Sequence, residues 1–181
     1  MTHRRPAPGK SRHPALLAPI DAVCFDWGGT LMVDDGPADL RMCDWPRVTA
    51  VPGALECLAT LHGRVPLCIA TNAGASDRLS IESALERVDL LGFISHIFCQ
   101  KEIGHRKNTP MFWSAVEQRL DLYPERIVMV GDSLEHDVET PRRLGLQAVW
   151  FNEGSEHPEP STPVPTVTDL DDFARLVMSA L

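Results

Sequence analysis

The five cysteines (Cys24, Cys43, Cys57, Cys68, Cys99) form no C-x-x-C pair. An odd count at irregular spacing points to reduced, mostly buried thiols and hence to a cytoplasmic setting. No apolar run is long enough to span a membrane. Lysine is scarce, with only Lys10, Lys101 and Lys107 in 181 residues. Basic residues number 17 against 25 acidic ones, for a net charge of −8. Arg4, Arg5, Lys10 and Arg12 all precede the first acid, Asp21, so the remainder is more acidic still. That balance argues against a general nucleic-acid binder. The basic start has too short an apolar stretch, broken by Pro14 and Pro19, to be a signal peptide. It reads instead as a disordered, Pro-rich tail over residues 1–19. At 44% hydrophobic and 23% charged, residues 20–181 read as one soluble globular domain.

What is present is an alternation of elements. Apolar runs at 22–26, 66–71, 95–100, 126–132 and 147–152 read as buried strands. Helical patterns fall at 53–61, 77–88, 109–120, 135–145 and 169–181. Asp77 supplies an acid at one helix start, and Thr109 with Pro110 a cap and first position at another. Pro141 has no evident place inside its helix. A Pro-rich connector covers 152–166, and no internal repeat is visible. Continuously apolar strands alternating with helices predict an α/β fold, a doubly wound parallel sheet with helices on both faces. Ligands of such sheets bind at the carboxyl ends of the strands.

Three polar residues, Asp26, Thr71 and Asp132, lie at such ends. Asp26 ends the first strand in "FDWGGTL", and Gly28 and Gly29 behind it let main-chain amides approach an anion. Thr71 and Asn72 follow the second strand; such groups donate to phosphate oxygens or simply make a turn. Lys107 precedes a helix and offers a cation to a phosphate. Asp132 ends the fourth strand in "MVGDSLEHDVE", with Asp137 five residues on. Asp26, Asp132 and Asp137 together would repel one another without a cation, and their oxygens suit Mg²⁺.

The order F-D-x-x-G-T-L, apolar-T-N, Lys, G-D-S-x-x-x-D resembles the haloacid dehalogenase superfamily of hydrolases, from about Asp21 to Asn152. The resemblance implies that Asp26 is a nucleophile that becomes an aspartyl-phosphate. It implies that Thr71 and Lys107 bind phosphate, and that Asp132 and Asp137 hold or position Mg²⁺, joined by the main-chain carbonyl of Gly28. Lys107 fits the family's spacing to "GDS" better than Lys101, although Asn108 replaces the proline that often follows.

One carboxylate is missing. Phosphatases of this superfamily usually read D-x-D, the second acid protonating the leaving alcohol and then activating water. Here that position is Gly28. Such proton transfer is typically worth about 10²–10⁴-fold in rate. Three branches of the family share the lack. Phosphonoacetaldehyde hydrolases need a cap-domain lysine, and no lysine lies between Leu31 and Gln100. Haloacid dehalogenases lack the metal aspartate that Asp132 supplies. Some sugar-phosphate phosphatases carry glycine and remain active, and this chain fits that branch or an unassigned relative. Asp34, Asp35 and His136 are candidates to replace the acid. No cap domain fits between Leu31 and Gly53, and residues 31–52 read as a short flap in which Trp45 packs on the core or lines the entrance. An open site suits a large substrate or a second copy of the chain as lid.

The expectation is therefore a Mg²⁺-dependent phosphatase acting on a phosphorylated small molecule or a larger phosphorylated substrate, with no nucleic-acid or membrane partner. The alternative of another class is a catalytically weak or silent relative that binds a phosphorylated ligand or a protein. A phosphonatase or dehalogenase stands behind both.

Overall fold

The computed structural model describes residues 19–37, 39–154 and 163–181. The expected N-terminal tail and most of the Pro-rich connector lie outside the described residues. Five strands fall where the apolar runs place them: β1 (Ala22–Phe25), β2 (Leu67–Thr71), β3 (His96–Cys99), β4 (Ile127–Gly131) and β5 (Gln147–Phe151). A sixth, β6 (Thr166–Val167), is a two-residue edge strand that no apolar run announces. All pairings are parallel, in the order β3-β2-β1-β4-β5-β6.

The side-chain period of two divides the strand residues between two cores. Val23, Phe25, Leu67, Ile69, Val128 and Val130 face one layer, built with Leu58, Leu61, Ile81 and Phe173. Those four come from α1 (Ala54–Leu61), α2 (Arg78–Glu86) and α6 (Leu170–Met178). On this side Phe25 and Phe173 meet edge to face at 5.5 Å between ring centroids. On the other face the central strands present the smaller Ala22, Cys24, Cys68 and Ala70. The space they leave is filled by Phe112 and Trp113 of α4 (Pro110–Leu120). The short α3 (Gln100–Ile103) begins where the third strand was expected to end.

Helix starts follow local chemistry. The Asp77 carboxylate accepts from the Ser80 N–H at 3.0 Å, and Asp169 does the same for Asp172 at 2.7 Å. Thr109 occupies the N-cap of α4, but its hydroxyl donates to the Arg106 carbonyl and caps no N–H. The pattern over 135–145 is two elements. A π-helical turn, Leu134–Glu139, runs into α5 (Thr140–Arg143). Pro141 lies in the first turn of α5, where a missing N–H costs little.

Among the described residues of 31–52 there is one 3₁₀ turn, Met42–Asp44, and no inserted domain. This flap is pinned at several points. Met32 bridges both Gly28 and Ala50, and the Val33 N–H donates to the Thr49 carbonyl at 2.9 Å. Trp45 is buried, and its Nε1 is shared between the carbonyls of Pro37 and Leu40. The chain passes so close over the indole that a Cβ at Gly36 would lie 2.2 Å from it. Arg87, at the end of α2, donates to the carbonyls of Cys43, Trp45 and Pro46.

The described cysteines are all free, with Cys24, Cys57, Cys68 and Cys99 buried and Cys43 half-buried. Among the described residues no helix is long and apolar enough to cross a membrane.

Candidate active site

Sheet order fixes the site. The chain moves outward from β1 to β2 and β3, then returns to the other side of β1 with β4. Where the winding reverses, the carboxyl ends of β1 and β4 open a crevice. Asp26 leaves β1 there, its N–H held by the Val130 carbonyl at 2.9 Å, and Asp132 leaves β4 beside it.

One carboxylate oxygen each from Asp26, Asp132 and Asp137 lies within 4.8 Å of the others. Asp26 and Asp137 are buried, and Asp132 is exposed. The buried Lys107 ammonium reaches both buried acids, contacting Asp137 Oδ1 at 2.6 Å and Asp26 Oδ1 as well. Lys107 is itself fixed by its main chain. Its N–H donates to Asn72 Oδ1 at 2.8 Å, and its carbonyl accepts from Trp113 Nε1 at 2.7 Å. The second oxygen of Asp137 accepts from the Ser133 N–H at 3.0 Å, so both of its oxygens are held.

The charges perturb one another. Burial, opposed by Lys107 and assisted by the Asp137 charge, raises the Asp26 carboxyl to about 6. Burial also raises Asp137, again opposed by Lys107. Partial desolvation and the charge of Asp26 raise Asp132. Burial alone would lower the Lys107 ammonium, but attraction to Asp137 and Asp26 outweighs it, and Lys107 stays charged. Three carboxylates against one ammonium leave an excess of negative charge. Their hard oxygens fit a small divalent cation.

The cleft above has a volume of about 560 Å³. Asp26, Thr71, Asn72 and Lys107 line it on the sheet side, and Asp34, Leu40, Arg41 and Trp45 line it from the flap. Thr71 Oγ1 accepts the Ala73 N–H at 3.2 Å, which leaves its own O–H to donate. Asn72 Nδ2 is buried with no partner among the described residues. A buried donor without an acceptor costs free energy, and an anion in the cleft would relieve it.

Gly29 does different work from that read in the sequence. The Gly29 N–H donates to the Met32 carbonyl at 2.8 Å, so it is not offered to a bound anion. Gly29 is required instead by its φ of +79° and by Asp132, whose Oδ2 would lie 2.6 Å from a Cβ there. Gly131 plays the same part for Asp137: a Cβ would meet Oδ2 at 2.2 Å. Gly131 escaped the sequence reading, although the G of "GDS" was its signal. Trp113 escaped as well, because an indole on a helix reads as core and nothing marks its bond to Lys107. Trp45 both packs on the core and lines the cleft.

Residues 43–145, more than half of the chain, match the haloacid dehalogenase-like hydrolase family. The matched stretch takes in Lys107, Asp132 and Asp137 and begins after Asp26. A pyrimidine 5'-nucleotidase of Escherichia coli is 30% identical over 71% of this chain and 57% of its own length. An (S)-2-haloacid dehalogenase of a Pseudomonas species is 28% identical over 70% of this chain and 54% of its own. The chain thus spans about half the length of these curated relatives. The magnesium-bound crystal structure of a HAD-hydrolase, YfnB of Bacillus subtilis, superposes with a TM-score of 0.64 at 22% identity. That alignment covers 71% of this chain and 56% of the other. This chain belongs to the haloacid dehalogenase-like hydrolases.

Proposed function

We propose that this chain is a Mg²⁺-dependent phosphatase that cleaves a phosphate monoester through an aspartyl-phosphate on Asp26. The observation that carries the reading is the meeting of Asp26, Asp132 and Asp137 around Lys107 at the switch of the sheet, under a cleft with free donors on Thr71 and Asn72. Three converging acidic oxygens suit a divalent cation, which a phosphoryl group calls for and a carbon–halogen bond does not, and that set favours the phosphatase over the dehalogenase relative. The similarity to a nucleotidase supports a phosphorylated substrate.

Asp26 attacks phosphorus, and the Lys107 ammonium and the Thr71 and Asn72 donors hold the phosphoryl oxygens. Asp132 and Asp137, with Asp26 and the Gly28 carbonyl, would hold Mg²⁺. When bound, the ion offsets charge on the phosphoryl group. Lys107 keeps Asp26 ionised enough to act as a nucleophile despite its burial. The cleft is open, so the substrate is a phosphorylated metabolite or a larger phosphorylated molecule.

Gly28 favours one second reading, a weak or silent relative that binds a phosphorylated ligand. Turnover of 4-nitrophenyl phosphate with Mg²⁺ separates the two. The wild type hydrolyses it, chelation stops it, and Asp26→Asn abolishes it while the protein stays folded by circular dichroism. Turnover by Asp26→Asn close to wild type would remove the covalent mechanism.

A further inference from the structure

Gly28 leaves the site without the side chain that would protonate a leaving alcohol, but the space for that side chain is not empty. A Cβ built on Gly28 lies 3.0 Å from Asp34 Oδ2, 3.3 Å from its Cγ and 3.5 Å from its Cβ. The three nearest atoms all belong to Asp34, and none to Asp35 or His136. We propose that Asp34, carried by the flap, is the acid and base that the opening motif lacks. The proposal rests on the phosphatase reading and deepens it.

The backbone just before Asp34 is tied to Gly28 and Gly29. Met32 bridges Gly28, and its carbonyl holds the Gly29 N–H at 2.8 Å. Asp34 follows two residues on and brings its carboxylate against position 28. Asp34 lines the cleft and Asp35 does not. The next turn is locked by the passage of Gly36 over the Trp45 indole. The carboxylate thus sits on a pinned segment, with the preorganisation that proton transfer requires. His136 also lines the cleft, and its Nδ1 is buried without a partner among the described residues. It comes from the π-helical turn beside Asp137 and does not fill the volume at position 28.

The balance of the step is simple. As an Asp26 oxygen bonds to phosphorus and the ester P–O bond breaks, the Asp34 carboxyl gives its proton to the departing oxygen and a neutral alcohol leaves. The Asp34 carboxylate then takes a proton from water as the water oxygen attacks the aspartyl-phosphate. The P–O bond to Asp26 breaks, inorganic phosphate forms, and Asp34 is protonated again.

The test compares 4-nitrophenyl phosphate with 4-nitrobenzyl phosphate. They share a ring and differ by one methylene, so one leaves as an acidic phenol and the other as an alcohol that needs a proton. The kcat/KM of each covers steps up to loss of the leaving group. Asp34→Asn should lose about 10²–10⁴-fold on the benzyl ester and less than about tenfold on the phenyl ester. Adding Gly28→Asp to Asp34→Asn should restore the benzyl ester selectively. Asp34→Asn should also keep the wild-type melting temperature and the wild-type Mg²⁺ affinity by calorimetry. Asp35→Asn should leave both esters unchanged.

Equal losses on both esters, or no rescue by Gly28→Asp, would assign Asp34 a structural part and overturn the proposal. Weakened Mg²⁺ binding in Asp34→Asn would assign it to the cation and overturn it too. A wild type active on the phenyl ester alone, or an Asp34→Asn variant that matches wild type on the benzyl ester, sinks this inference and spares the phosphatase reading. A wild type inactive on both esters sinks the reading and the inference with it.

Discussion

Replacing Lys107 with methionine keeps the length of the side chain and removes its charge. In the metal-free protein this strips Asp26 and Asp137 of the Lys107 ammonium, which touches both. All three side chains are nearly or wholly buried, so solvent screens little of the change. Removing one member of a buried pair costs about 3–5 kcal/mol, because the remaining charge stays desolvated. For a protein of this size each kcal/mol moves the melting temperature by roughly 2–4 °C, so the variant should melt about 6–20 °C below wild type at neutral pH in chelator. The deficit has a definite pH dependence. Asp26 is raised to about 6 even with Lys107 beside it, and Asp137 is raised as well. Without Lys107 both rise further. A carboxyl raised on folding adds stability that is complete below its unfolded value near 3.8 and is lost as pH climbs through the folded value. The gap between variant and wild type should therefore be widest at neutral pH and close as pH falls toward about 4. Mg²⁺ supplies the missing charge in part, and at a hundred times its dissociation constant it should return about 2.7 kcal/mol. Differential scanning calorimetry across pH, with chelator and with Mg²⁺, reads all three effects. Equal melting temperatures for Lys107→Met and wild type at neutral pH in chelator would refute the reasoning.

Two further outcomes follow from the same geometry. Gly29→Ala must accept a φ of +79° and push Asp132 aside, at a cost of about 1–2 kcal/mol by urea unfolding and with weaker Mg²⁺ binding by calorimetry. An alanine variant unchanged on both counts would remove the role given to that glycine. Mg²⁺ competes with the proton on Asp26, so its affinity should be steady at neutral pH and decline once pH drops below about 6. A calorimetric series showing constant affinity through that window would place the ion elsewhere.

The central fold was legible because its strands are buried on both faces and so carry unbroken apolar runs. The candidate site was legible because the runs of β1, β2 and β4 close on the polar residues Asp26, Thr71 and Asp132. What escaped depends on contacts distant in sequence. The strand β6 owes its existence to Trp150 and Phe151, which offer a free edge to Thr166 and Val167. The π-helical turn lets Asp137 approach Gly131 and reach Lys107, a demand that no local propensity encodes. Asp34 was one of three candidate acids on sequence grounds. Only the approach of its carboxylate to Gly28 and its place in the cleft lining distinguish it from Asp35.

The position of β1 in the middle of the sheet also sets a timetable for the nascent chain. Ala22–Phe25 pairs with Leu67–Ile69 on one side but with Ile127–Val130 on the other. During synthesis the strand bearing the nucleophile has one open edge until roughly 100 more residues have been added, about 5–20 s at ordinary translation rates. Pairing over such separations is slow, and an exposed apolar strand edge invites association with other chains. Asp26, at the end of that strand, puts a charge next to the open edge during the wait. Its later partners Asp132 and Asp137 arrive with and just after β4, so the excess of negative charge assembles only as the sheet that must contain it is completed.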